Sequence, residues 1–129
     1  MIGLTNGKLL KTILHIEDDH SIRLCVNYVL ADAGYRVYSV SNGQEALDYL
    51  GIHTDEVDLI LSDVMMPVMD GFTFCIEQSK DRSIAHIPTI IYSADARNKI
   101  KADAIGLPFL SKPFNLIDLF EGIAKYVRK

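Results

Sequence analysis

Three aliphatic residues, Leu59-Ile60-Leu61, follow one another without a polar interruption and lead within two positions to Asp63. A strand with one wet face alternates apolar and polar side chains, so a short continuous run suits a strand covered on both faces, as in a parallel sheet packed between helices. Pro67 and the Asp70-Gly71 pair then forbid an immediate helix and supply a turn. In open parallel sheets the ligand crevice lies outside the carboxyl ends of the strands. A carboxylate at that point is a candidate for chemistry first and for capping second, and Asp63 becomes the residue to explain.

The rest of the chain supplies what this strand needs. Residues 1 to 11 read as a short leader, and 12 to 129 as one domain. Thr12-Ile13-Leu14-His15-Ile16 is a first strand that ends on Glu17-Asp18-Asp19, with Asp18 or Asp19 able to cap the first helix. Ile22, Cys25, Val26, Val29, Leu30 and Ala33 have helical spacing, stopped by Gly34. Val37-Tyr38-Ser39-Val40 predicts a second strand, and Ser41 or Asn42 caps a helix carrying Ala46, Leu47 and Leu50. After the Asp63 loop, Phe72, Cys75 and Ile76 mark a third helix through about Lys80. Pro88-Thr89-Ile90-Ile91-Tyr92-Ser93 is a fourth strand, Asp95 to Ala104 a weaker helix with apolar marks at Ile100 and Ala104, and Phe109-Leu110-Ser111 a short fifth strand running into Lys112-Pro113. Leu116, Leu119, Phe120, Ile123, Ala124 and Val127 form the last helical face. Strands alternating with helices in this way predict a single doubly wound, five-stranded parallel sheet with helices on both faces and right-handed crossovers.

Composition narrows the function classes. The 129 residues suffice for one domain with a real core. A net charge of −4 argues against a nucleic-acid footprint, which needs a basic stripe. No apolar run approaches the length of a membrane span, and the start of the chain has no secretory pattern, so a cytoplasmic protein without a membrane role is expected. His15, His20, His53 and His86 show no zinc spacing. Cys25 and Cys75 fall within amphipathic patterns and are expected as buried thiols rather than a disulfide.

A chemical residue falls at nearly every strand end: Glu17 and Asp18 after the first, Asp63 after the third, Ser93 after the fourth and Lys112 after the fifth. Each alone has a bland reading as a cap, a turn former or a solvated charge. In a parallel sheet they converge on one edge, where three carboxylates repel one another unless a cation offsets them. Hard oxygen ligands suit Mg²⁺, and lysine and serine can each serve a phosphoryl oxygen.

These residues resemble those of a known family, the receiver domains of two-component response regulators. The resemblance covers about Thr12 to Arg128. Ile13 through Asp19 is similar to the family's first strand with its acidic pair, Asp63-Val64-Met65-Met66-Pro67-Val68-Met69-Asp70-Gly71 to its phosphoacceptor loop, and Ser93-Ala94 and Lys112-Pro113-Phe114 to its two remaining motifs. The resemblance implies a flavodoxin-like strand order 2-1-3-4-5. It implies a bacterial phosphorelay role in which Asp63 takes phosphate from a histidine kinase or histidine phosphotransfer protein. Mg²⁺ is then held by Glu17, Asp18, Asp63 and the backbone carbonyl of Met65, with Lys112 and Ser93 assisting. Ser93 and Phe109 form the switch toward a downstream protein, and a phosphorylation-dependent dimer is compatible with it.

Three features depart from the family pattern. Glu17 is longer than the commoner Asp, Phe109 has no hydroxyl, and the span from Ser93 to Lys112 is about one helical turn short. The Met65 side chain is expected to cover the phosphoryl group, and Asp95 to repel attacking hydroxide. Two rival functions stand beside this one. Haloacid-dehalogenase-like phosphatases share the aspartate nucleophile but place a second aspartate where this chain has Met65, which transfers no proton. A phosphate-independent binding module would not need the intact Asp63, Ser93 and Lys112.

Overall fold

The computed structural model describes residues 4–5 and 8–129, with side chains from residue 10 onward. β1 (Thr12–Ile16), β2 (Arg36–Val40), β3 (Leu59–Asp63), β4 (Thr89–Ser93) and β5 (Phe109–Ser111) form one sheet in the order β2-β1-β3-β4-β5. Every pairing in it is parallel. Between and after the strands lie α1 (His20–Asp32), α2 (Gly43–Ile52), α3 (Gly71–Ser79), α4 (Ala96–Ala104) and α5 (Leu116–Tyr126). Among the first eleven residues, Leu4–Thr5 pairs antiparallel with Lys8–Leu9 in a separate small sheet, and residues 1–3 and 6–7 lie outside the described residues.

Burial explains why the strands are readable in the sequence. All five residues of β3 are buried, as are Ile13 to Ile16 of β1, whereas the edge strand β2 buries only Val40. One face of the sheet packs Ile13, Leu59, Leu61 and Ile90 under α1 and α5, which contribute Val26, Leu30, Leu119 and Ile123. The other packs Leu14, Ile16 and Ile60 under Ala46 and Leu50 of α2 and Phe74 of α3. Each helix starts on an Asp or Asn: Asp19, Asn42, Asp70, Asp95 and Asn115 each accept a first-turn backbone N–H at 2.7–3.0 Å. Such caps contribute about 1 kcal/mol apiece. Among the described residues no helix is long and apolar enough to cross a membrane.

Three expectations about helix faces are corrected. Cys25 is exposed and Cys75 half-buried, because α1 turns Val26 and Leu30 inward and leaves Leu24, Cys25 and Tyr28 outside. On α3 the inward residues are Phe72, Phe74 and Gln78, while Ile76 is 56% exposed. On α4 Ala102 faces the core, and Ile100 and Ala104 point to solvent.

Candidate functional site

Because all five strands run the same way, their carboxyl ends share one edge, and the sequence motifs meet there. β1 delivers Glu17 and Asp18, and β3 ends on Asp63. Oxygen atoms of these three carboxylates lie within 4.8 Å of one another, the one group of this kind among the described residues. Glu17 and Asp63 are buried while Asp18 is exposed, so the cluster opens to solvent on one side. Asp19 is the cap of α1, leaving Asp18 free for the site.

Lys112 reaches in from the end of β5, its Nζ 3.4 Å from Asp63 Oδ2 and 3.5 Å from Glu17 Oε1. Its backbone N–H donates to the Ser93 carbonyl at 2.9 Å, which ties the β4 and β5 ends together, and the Lys112–Pro113 peptide is cis. Burial, followed by repulsion from Glu17, pushes the Asp63 carboxyl up to about 6 despite the opposing pull of Lys112. A pocket that raises the cost of its own anion in this way has hard oxygen donors to offer a cation and charge for it to offset. The donor set fits Mg²⁺.

The loop after Asp63 is set by backbone contact. Gly71 N–H donates to the Val64 carbonyl at 2.9 Å, and a Cβ on Gly71 would fall 2.5 Å from the Asp63 carbonyl oxygen. Only glycine lets α3 start this close. Val68, at the loop tip, has φ 68°, a left-handed value rare for a β-branched residue.

Ser93 is buried at the end of β4, and its Oγ accepts from the Asp95 backbone N–H (3.1 Å) and from Asn98 Nδ2 (2.9 Å), leaving the hydroxyl proton free to donate. Phe109 starts β5, half-buried against Val64, Phe72, Ile91 and Ala102. Met65 is 70% exposed, which does not match a side chain folded over the site. Asp95 does not face the pocket as a bare charge: it caps α4 and binds Arg97 at 2.6 Å, which holds its carboxyl down to about 2.

Two residues that sequence reasoning passes over stand behind the carboxylates. Tyr92 and His15 are wholly buried polar side chains, and the Tyr92 hydroxyl donates to Glu17 Oε1 at 2.7 Å. A signal for one of them exists in the sequence: His15 lies two residues before Glu17, on the same strand face, in an otherwise aliphatic strand.

A parallel sheet of this order with acids, a lysine and a hydroxyl at its carboxyl edge defines a class of phosphoryl-handling α/β domain. A family model described as the response regulator receiver domain matches residues 13–124, and the chain belongs to that family. It is similar to the sensor kinase CckA of Brucella abortus, 36% identical over 92% of this chain and 13% of the kinase. The chain spans about half the length, or less, of the first curated relatives it matches. Among solved structures it is similar to the chemotaxis protein CheY4 of Vibrio cholerae, with TM-score 0.80 and 31% identity over 92% of this chain and 99% of that one. It also resembles the receiver domain of sensor histidine kinase PA1611 from Pseudomonas aeruginosa, with TM-score 0.79 and 25% identity over 91% and 97% of the two chains; that structure has a magnesium ion coordinated in its active site cleft. Relatives occur in Aneurinibacillus migulanus and in Oryza sativa, so the family reaches beyond the bacterial setting expected from sequence.

Proposed function

We propose that this domain accepts a phosphoryl group on Asp63 and that the charge change reshapes the surface built by α4, β5 and α5. The observation that carries this reading is the convergence of Glu17, Asp18 and Asp63 within 4.8 Å, with Lys112 Nζ 3.4 Å from Asp63. Glu17, Asp18 and Asp63, with the backbone carbonyl of Met65, are the residues that would hold Mg²⁺. Bound there, the ion supplies charge neutralisation for the phosphoryl oxygens.

The chain's own residues do the rest. An ionised Asp63 oxygen forms the new O–P bond as the donor's N–P bond breaks, and the leaving imidazole takes a proton from solvent. Lys112 offers its ammonium to one equatorial oxygen. Ser93, whose proton is uncommitted, donates to another once it turns from Asn98. The work is positioning and electrostatics, as phosphoryl transfer requires. The donor is a histidine kinase or a histidine phosphotransfer protein, and the acceptor of the signal is a protein that reads the changed face. Residues 12 to 129 constitute the receiver unit, residues 1 to 11 its leader, and the cytoplasm its place of work.

Incubation with Mg²⁺ and acetyl phosphate, followed by intact mass measurement, tests this. The protein gains the mass of one phosphoryl group and Asp63→Asn gains none; an equal gain in that variant would place the phosphate elsewhere.

A further inference from the structure

Glu17 is the wrong length for a site that an aspartate ordinarily fills, and the structure shows what takes up the difference. Its Oε2 accepts the Asp19 backbone N–H at 3.1 Å, and its Oε1 accepts the Tyr92 hydroxyl at 2.7 Å. Tyr92 is in turn held from every side. Its ring stacks on Phe114 with centroids 5.3 Å apart, meets His15 edge-on at 6.1 Å, and carries the Lys112 ammonium 5.0 Å above it. Behind the hydroxyl, His15 Nε2 lies 2.9 Å from the phenolic oxygen, His15 Nδ1 lies 2.9 Å from the Asn27 carboxamide, and that carboxamide lies 2.9 Å from Ser39 Oγ. A hydrogen-bonded string therefore runs from the acidic cluster across β4, β1 and α1 to β2.

The string has a direction. The Tyr92 hydroxyl is the group of this string within hydrogen-bond reach of Glu17 Oε1, and a carboxylate oxygen can only accept from it. A phenol has one proton to give, and with that proton on Glu17 its oxygen must accept from His15 Nε2–H. A neutral imidazole that donates from Nε2 has Nδ1 left to accept. In the structure Asn27 Oδ1 faces Nδ1 and Nδ2 donates to Ser39 Oγ; the two ends of a carboxamide are interchangeable in shape, and turning Asn27 over lets Nδ2 donate to Nδ1 while Ser39 Oγ donates to Oδ1. Every donor then points toward Glu17.

We propose that Tyr92, backed by His15 and Asn27, is a positioning residue for the cation site. Its hydroxyl fixes the glutamate carboxylate beside Asp18 and Asp63, and this allows a glutamate to serve at that position. The phenol occupies one lone pair of Oε1 and leaves the other for a ligand. This inference rests on the reading of Glu17, Asp18 and Asp63 as the cation-holding set.

The test is Mg²⁺ binding by calorimetry in the absence of any phosphodonor, on the wild type, Asp18→Asn, Tyr92→Phe, Glu17→Asp and the Tyr92→Phe/Glu17→Asp double variant. Tyr92→Phe keeps the ring and its stack on Phe114. It is expected to weaken Mg²⁺ by about tenfold, the lower end of what partners behind a metal ligand contribute. In the Glu17→Asp background, where the shorter acid does not reach the phenol, the same change is expected to alter affinity by less than about twofold. Unchanged affinity in Tyr92→Phe, with Asp18→Asn impaired, overturns the role of Tyr92 and leaves the cation site standing. Equal loss in both backgrounds also overturns it, because a general disturbance of the fold would not depend on the length of the acid. No change in either Asp18→Asn or Tyr92→Phe overturns the cation site itself. Should Tyr92→Phe not fold, the wild-type protein labelled with ¹³C-tyrosine provides the readout. The Tyr92 Cζ resonance shifts on adding Mg²⁺, and a stationary resonance across the titration overturns the proposal.

Discussion

Ionised Asp63 is the form a nucleophile needs, and the metal-free pocket works against it. With the folded value raised from 3.8 to about 6, both the folded and unfolded chains carry the proton at the acid end, and there is no penalty. Above the raised value the anion is buried beside Glu17, and the folded state loses on the order of 3 kcal/mol relative to a chain without that charge. The metal-free protein is therefore expected to lose stability as pH rises from about 4 to about 6. Asp63→Asn removes that slope and melts higher than the wild type at pH 7. Urea unfolding of both proteins at a series of pH values measures this, and parallel curves would contradict it. Gly71 sets a second constraint at this scale. A methyl group there meets backbone, which cannot rotate away, so Gly71→Ala is expected to cost about 1–3 kcal/mol. It should also slow phosphorylation from acetyl phosphate, because the displaced atom belongs to Asp63 itself.

Among the helices, α4 is held least by packing: nine residues, with Ala102 the one buried side chain. Its attachment is polar instead. Asn98 Nδ2 and the Asp95 backbone N–H both end on Ser93 Oγ, so the helix start and the hydroxyl expected to move are hydrogen-bonded to each other. Few buried contacts mean low local stability. Phosphorylation is expected to draw Ser93 off Asn98 and loosen or shift residues 95–110, seen as faster amide exchange there. Asn98→Ala should show that faster exchange before phosphorylation and a smaller change after it. Equal protection of these residues in phosphorylated and unphosphorylated wild type would mean the segment is not the switch. The helices also show where sequence reading stops. Strands buried on two faces announce themselves as aliphatic runs, and the bounds of β1 are legible to the residue. A helix has one buried stripe, and its phase depends on which neighbour it meets. Ile76 and Ile100 look inward by composition, yet Phe74, Gln78 and Ala102 fit the space.

At the scale of the molecule, parallel pairing alone gathers Glu17, Asp18, Asp63, Ser93 and Lys112, which is why a linear sequence suffices to find them. The residues that tune them are not legible there. Tyr92 reads as one more large residue of a core strand, and His15 as a lone histidine, until β1 and β4 are set on either side of β3. The same order makes a prediction for the whole fold. Mg²⁺ that binds only the assembled edge stabilises the folded state by mass action, so the melting midpoint should rise with Mg²⁺ concentration. It should rise much less in Asp18→Ala, which removes one of three hard ligands. Equal rises would argue for cation binding elsewhere.

The order β2-β1-β3-β4-β5 also sets a timetable for synthesis. The strand at the centre of the sheet, β3, leaves the ribosome after both strands on one side of it and before both on the other. The layer over Ile13, Leu59, Leu61 and Ile90 needs Leu119 and Ile123, which emerge last of all in this domain. For most of its translation the nascent chain carries an aliphatic surface with half its cover missing, a species prone to aggregate. The release of α5 is what completes that cover.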